Sequence, residues 1–140
     1  IRDNDELSYP VLAERKMGWI ASADVCALLV AALERPNLAG NRYSISGIET
    51  PAGPELAAEF SDALGRTIHY RTMTPEEMGA VLDSEFGPGA GDNVAAMYRQ
   101  EQEDPNPPDK FHDMSPVLEA LPVRMSTIKE WVTVHKDALE

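Results

Sequence analysis

The segment ADVCALLVAALERP, residues 23–36, decides the fold, because it places nine consecutive apolar residues at 25–33 in a chain of net charge −12. A helix on the surface of a soluble domain normally has one apolar stripe and one polar face. This segment has no polar face before Glu34 and Arg35. We therefore expect a helix that needs apolar cover on all sides, and its cover is the main structural question.

The composition is typical of one globular domain and excludes several classes of protein. The chain has 140 residues, 43% hydrophobic and 26% charged, which is enough to bury a core without metals or disulfides. The apolar run is too short to cross a membrane. With 24 acidic and 12 basic residues, the chain should repel nucleic acid and anionic membranes. A single cysteine cannot form an internal disulfide, so we expect a reducing, cytoplasmic location.

The hydrophobic periods outside this segment alternate between strands and helices and predict an α/β protein. Three short strands and about five to six helices are expected. The predicted strands are residues 17–22, 41–47 and 67–73, and the predicted helices are 22–35, 51–64, 74–85, 92–103, 115–121 and a final helix after 126. Capping residues mark the helix starts: Ser22 or Asp24, Thr50, Thr74 with Glu77 in a capping box, and Ser126, while Gly65 is a suitable helix end.

Two features indicate that the fold is incomplete. Residues 1–16 show no clear secondary-structure period and are interpreted as a connecting segment cut from something longer, or as a processed terminus. A sheet of three short strands also offers too little surface to cover the apolar helix. Either part of the sheet lies outside this chain, or the helix sits at the centre of a helical cluster made by the other segments.

Two stretches, GWIASADVCALLVAALERPNLAGNRYSISGIETPAGPELAAEFSDALGRTIHYRTMTPEEM at 18–78 and LEALPVRMSTIKEWVTVHKDAL at 118–139, carry a family resemblance. Their elements resemble, in order, the C-terminal portion of NmrA-like proteins, which are atypical short-chain dehydrogenases/reductases. The resemblance implies that residues 17–140 are a C-terminal, substrate-side domain of a Rossmann-like NmrA-type fold. The N-terminal half that binds the dinucleotide in that family is not included.

The resemblance also implies a function. The chain would be the substrate-binding portion of an NAD(P)H-dependent oxidoreductase of the quinone or enone reductase type, inactive without the Rossmann half. The alternative is a non-enzymatic, dinucleotide-linked redox sensor that binds a protein partner. NAD(P) is the expected cofactor of the full-length protein, and none should bind this chain alone. The expected partners are the missing Rossmann half or a second copy of the chain, with a small aromatic molecule as substrate.

No catalytic, cofactor-binding or metal-binding residue is predicted. No tyrosine is followed four residues later by lysine, so the usual acid/base pair of the superfamily is missing. Cys26 is expected to be a buried structural thiol. Asp109, His112 and Asp113 are interpreted as a solvated acidic loop rather than a metal site. The glycines of residues 87–91 precede an acidic helix start, so they indicate a flexible loop rather than a phosphate cradle.

Four residues are predicted to line a substrate pocket. In NmrA-like proteins the C-terminal region shapes this pocket, and by that resemblance the candidates are Trp19, Phe86, Met97 and Tyr98. Ordinary core packing is the alternative for each of them. Residues 76–119 contain eleven acids and two bases, which indicates a solvated surface or, alternatively, a docking face for a basic partner.

Overall fold

The computed structural model describes residues 1, 4–108 and 110–139, which form two strands and seven helices. The coarse prediction of an α/β protein is confirmed, although the described residues contain two strands instead of three. The elements are β1 Glu6–Tyr9, α1 Ser22–Leu33, α2 Gly53–Leu64, β2 His69–Thr72, α3 Pro75–Phe86, α4 Asp92–Glu103, α5 Ser115–Ala120, α6 Ile128–Val134 and α7 Lys136–Leu139, with a 3-10 turn at Pro36–Leu38.

The two strands form a small parallel sheet. β1 pairs with β2 so that Glu6 lies opposite His69 and Tyr9 lies opposite Thr72. Residues 6–9 therefore form a strand within the segment whose sequence shows no clear secondary-structure period. Four residues are too few to show a reliable alternation, and the strand exists because a distant segment pairs with it.

The other two predicted strands are not formed among the described residues. Residues 17–22 contribute a single bridge, between Met17 and Lys110, and residues 41–47 take part in no ladder. Alternating side chains suit a strand, but a strand also needs a neighbouring backbone that can pair with its amide and carbonyl groups. The described residues supply such a neighbour to residues 17–22 only at the bridge with Lys110, and they supply none to residues 41–47.

The best-predicted boundaries are those fixed by local chemistry. The Thr74 hydroxyl accepts from the Glu77 amide at 3.1 Å, and the Glu77 carboxylate accepts from the Thr74 amide at 2.6 Å, so the capping box of α3 is confirmed. Gly65 ends α2 in the left-handed conformation with φ of 71°, also as predicted. These signals need only a few neighbouring residues.

Three other predicted caps are wrong. α1 follows Ala21 and has no side-chain cap, because the carboxylate of Asp24 is bound elsewhere in the fold. α2 begins at Gly53 rather than after Thr50. The Glu55 carboxylate accepts a hydrogen bond from the Ala52 amide just before the helix. α6 is capped by Thr127 instead of Ser126.

The buried side chains form two clusters. The first joins α2, the end of the loop before β2, and α6, and consists of Leu56, Ala57, Phe60, Leu64, Ile68, Ile128 and Val132. The second joins α1, α5 and the segment after α5, and consists of Leu28, Ala31, Met114, Val117, Leu121 and Met125. α3 and α4 pack on each other beside these clusters.

Helix α1 is covered on one side only. Leu28 and Ala31 are buried in the second cluster, whereas the opposite side of the helix is open and Leu33 is 83% exposed. The interpretation of α1 as the centre of a helical cluster made by this chain is therefore wrong. Cys26 is also exposed, which corrects the expectation of a buried thiol. Despite its apolar character, neither α1 nor any other helix in the described ranges is long and apolar enough to span a bilayer.

Candidate functional site

An apolar pocket of about 230 Å³ lies between β1, α2, the start of α6 and the segment that precedes α1. Apolar cavities of about 150 Å³ hold benzene, so this volume suits one aromatic ring of a ligand. Its lining is almost entirely apolar and includes two tryptophans: Leu7, Trp19, Ile20, Ala21, Leu56, Phe60, Ser126, Thr127, Ile128 and Trp131.

Trp19 is positioned by a close approach between two backbone segments. A Cβ atom at Gly47 would lie 1.8 Å from the Trp19 carbonyl oxygen, so only glycine fits at residue 47. The indole of Trp19 then packs edge-on against the ring of Tyr9, with centroids 4.9 Å apart. Such edge-to-face contacts are a favoured aromatic geometry. One wall of the pocket is therefore held by backbone packing and by an aromatic neighbour.

Trp131 lines the pocket from helix α6. It stacks on His135, one turn further along the helix, with ring centroids 4.4 Å apart and planes 23° apart. It also lies 6.4 Å from the ring of Phe60 on α2. These neighbours on two helices limit the rotamers of the indole, so the wall is largely formed before any ligand binds.

The polar groups at the mouth of the pocket are already paired within the protein. The Ser126 amide and hydroxyl both donate to the buried Asp24 carboxylate, at 3.0 and 3.2 Å. The Ile128 amide donates to Glu49 at 2.6 Å. The pocket is consequently suited to apolar and aromatic contact, and these groups are not available for acid/base chemistry.

Of the four residues predicted to line a substrate pocket, one lines this pocket. Trp19 lines the pocket. Tyr98 is buried behind it in an aromatic row, because its ring packs against Tyr9 with centroids 6.1 Å apart and its hydroxyl donates to the Tyr9 hydroxyl at 3.1 Å. Phe86 is 77% exposed at the end of α3, and Met97 is half exposed on α4, so both lie away from this pocket. Their role in a substrate pocket stays a prediction.

Sequence reasoning missed Trp131, Phe60 and Leu7 as pocket residues. Phe60 and Trp131 each recur at helical spacing with other apolar residues, so the sequence predicts that each lies on the buried face of a helix. The pattern does not predict that these two helix faces pack on each other. The contact between α2 and α6 brings them together. Leu7 belongs to β1, the strand that the sequence pattern did not reveal.

The half-buried Tyr70 and the buried Tyr98 are held as neutral phenols. Burial raises the pKa of Tyr70 to about 12, and its hydroxyl donates to the Val11 carbonyl at 2.7 Å. Burial, and then the hydrogen bond with Tyr9, raise the pKa of Tyr98 well above its usual range. A phenol with a raised pKa is a poor proton donor near neutral pH. Both tyrosines take part in packing and in hydrogen bonds within the protein.

The glycine-containing segment 87–91 does not fit a dinucleotide pyrophosphate. The Gly91 amide donates to the Asp83 carboxylate at 2.8 Å, and Asp92 adds a second negative charge in the first turn of α4. A Cβ atom at Gly91 would lie 2.2 Å from the Gly79 carbonyl oxygen, so Gly91 is required for the contact between α3 and α4. This glycine is a packing residue rather than part of a flexible loop.

The predicted acidic loop has a local structural role in its described part. Asp109 lies outside the described residues. Asp113 accepts from the Ser115 amide at 2.9 Å and from the Ser115 hydroxyl at 2.7 Å, and the amide bond is the main cause of the lowered pKa of Asp113. The His112 amide donates to the Ser46 hydroxyl at 3.0 Å. These bonds fix the entry into α5.

Comparison with known proteins identifies the class to which this fold corresponds. No protein-family model matches the sequence. The NAD(P)H azoreductase of Xenophilus azovorans is 36% identical over 77 residues, which are 55% of this chain and 27% of that protein. The triphenylmethane reductase of Citrobacter sp., solved in complex with NADP(H), superposes with a TM-score of 0.69 at 15% identity over 95% of this chain and 45% of that one. An NADPH-dependent quinone oxidoreductase of Escherichia coli superposes with a TM-score of 0.68 at 16% identity. The superposition covers 95% of this chain and 47% of that one.

The chain thus has the fold of a part of the NmrA-like NAD(P)H reductases, and the resemblance predicted from the sequence is confirmed. It spans a little less than half the length of the two reductases with which it superposes, at 45% and 47%.

Proposed function

We propose that this chain is the substrate-binding portion of an NAD(P)H-dependent oxidoreductase of the quinone or enone reductase type, and that it is inactive without a dinucleotide-binding half. The observation that carries the proposal is the apolar pocket between Trp19 and Trp131, which suits one aromatic ring. The names of the similar proteins support it, because azo compounds, triphenylmethane dyes and quinones are all conjugated molecules.

The physical role of the chain in such an enzyme would be binding and exclusion of water. Burial of apolar ligand surface contributes about 25 cal/mol per Å², and aromatic contacts with the two indoles would orient a flat ring. The raised pKa values of Tyr70 and Tyr98 leave these phenols neutral. The reducing equivalents would come from NAD(P)H bound by residues outside this chain, since segment 87–91 does not fit the cofactor.

The test uses the full-length polypeptide that carries these residues, with NADPH and a panel of quinones, azo dyes and triphenylmethane dyes. We expect turnover with at least one class and none from the 140-residue chain alone. Trp131→Ala should raise KM about tenfold, the loss expected for about 1.4 kcal/mol of binding free energy, and Trp131→Phe should recover much of it. Val81→Ala, at an exposed apolar residue of α3 away from the pocket, is the control and should leave KM unchanged.

Two outcomes would contradict the proposal. Turnover with an unchanged KM in Trp131→Ala would show that substrate binds elsewhere. Tight binding of NADPH without reduction of any compound in the panel would favour the redox-sensor alternative.

A further inference from the structure

Two carboxylates from distant parts of the chain hold the segment 126–128, which contributes three residues to the lining of the apolar pocket. The buried Asp24, in the first turn of α1, accepts from the Ser126 amide and hydroxyl. The half-buried Glu49, in the segment before α2, accepts from the Ile128 amide. Each carboxylate therefore lies one hydrogen bond away from a residue of the pocket lining.

These two carboxylates are not neutralised by a cation among the described residues. The described ion pairs include neither of them. Arg124 and Lys129 are close in sequence, but Arg124 pairs with Glu130, and Lys129 lies 4.0 Å from Asp62. The pocket lining itself contains no charged residue. The pocket thus lies beside two negative charges that no described cation contacts directly.

The segment 126–128 also leaves no backbone donor for an anion. The Thr127 amide donates to Glu130 at 3.0 Å, so all three amides of this segment are bound to carboxylates. An anionic group on a ligand would lose water at the pocket mouth without gaining these donors, and loss of hydration without a partner is costly for an ion. Like charges a few Å apart also repel more strongly where water is partly excluded.

Rings without a negative charge avoid both costs. An uncharged ring loses little hydration and gains apolar contacts in the pocket. A cationic ring is attracted by the two carboxylates, and the faces of the indoles of Trp19 and Trp131 attract cations as well. The same surroundings therefore treat ligands of similar size differently according to their charge.

We propose that this pocket selects its ligand by charge: it admits uncharged and cationic aromatic rings and excludes rings that carry a carboxylate or a sulfonate. Asp24 and Glu49 are the specificity-determining residues, and they act by repelling the wrong ligand rather than by contacting the right one. The proposal rests on the proposed function, because it narrows the class of substrate that the same pocket takes.

The experiment compares three single-ring probes of similar size: benzyl alcohol, benzylamine and benzoate. Binding is measured in the full-length polypeptide without NADPH, from the NMR shifts of the indole N–H groups of Trp19 and Trp131, which both line the pocket. We expect the Kd of benzoate to be about tenfold higher than that of benzyl alcohol, and the Kd of benzylamine to be no higher than that of benzyl alcohol. At about 1 M salt, where the Debye length is about 3 Å, the difference between benzoate and benzyl alcohol should shrink.

Glu49→Gln separates the charge of this residue from its structural role, because the amide oxygen of glutamine can still accept from the Ile128 amide. The Kd of benzoate should fall about threefold, the share of one of the two charges, while the Kd of benzyl alcohol stays within about twofold. Glu85→Gln is the matched control, since it removes the same charge from the last turn of α3, away from the pocket. It should leave the ratio of the two dissociation constants unchanged.

Three results would overturn the proposal. The first is binding of benzoate as tight as that of benzyl alcohol or tighter; tighter binding would assign the anion to Arg124 and Lys129, which line the adjoining open cavity. The second is a ratio that Glu49→Gln leaves unchanged, and the third is the absence of a shift with all three probes. The readout requires no turnover, so charge discrimination without reductase activity would support this inference and contradict the proposed function. Turnover of a quinone without charge discrimination would do the reverse.

Discussion

At residue 47, any side chain would collide with the backbone of Trp19. Because glycine has no side chain, the backbone at residue 47 can pack against the segment that leads into α1. Gly47→Ala should therefore destabilise the protein by about 3 kcal/mol, the upper part of the range for overpacking. Urea denaturation measures this loss, and a shift in tryptophan fluorescence would report the displacement of Trp19.

Gly40→Ala is the control for this substitution. Gly40 has φ of 85°, and a Cβ atom there would meet no other atom within 4 Å, so alanine meets backbone strain without a collision. We expect a cost of about 1–2 kcal/mol. A Gly47→Ala protein as stable as Gly40→Ala would contradict the assigned contact.

At the level of one element, the start of α3 depends on a charged cap. The hydrogen bond from the Thr74 amide, and then that from Arg71, lower the pKa of Glu77. A lowered folded-state pKa stabilises the protein above the unfolded value of about 4.3, and this contribution is lost as the pH falls through the folded-state pKa. Glu77→Gln should therefore be less stable than the wild type at pH 7, and the difference should shrink as the pH is lowered through the folded-state pKa of Glu77. Thermal melts across this range test the expectation.

Glu85→Gln is the matched control on the same helix. Glu85 lies in the last turn of α3 and makes no ion pair with any described residue. Its substitution should change the stability at pH 7 by no more than about 0.5 kcal/mol. Equal pH profiles for the two variants would contradict the role of the Glu77 carboxylate.

At the level of the whole molecule, stability rests on the cluster between α2 and α6. Val132 is fully buried there, whereas Val134 on the same helix is 79% exposed. Val132→Ala should cost about 2 kcal/mol, from lost burial and the cavity left behind. Val134→Ala should stay within about 0.5 kcal/mol. Similar losses in urea denaturation for both variants would show that α6 does not pack on α2 in solution.

The elements that the sequence predicted well depend on a few neighbouring residues. The capping box at Thr74, the glycine end of α2 at Gly65, and helices α3, α4 and α5 all follow from local hydrogen bonding and helical spacing. Trp19 could be chosen as a pocket residue because a family resemblance was available.

Elements that need a distant partner were decided by the tertiary structure. β1 forms because β2 pairs with it, whereas residues 41–47 have a strand pattern and no strand, because no described backbone pairs with them. Asp24 is placed for a helix cap but binds Ser126 at the other end of the chain, and Trp131 reaches the pocket because α6 packs on α2. The sequence by itself thus determined which segments form most of the helices, together with the helix ends at Thr74 and Gly65, since these forces act within one turn. Strand pairing, the pocket and the open side of α1 were decided only by the tertiary structure, because they depend on which distant surfaces meet.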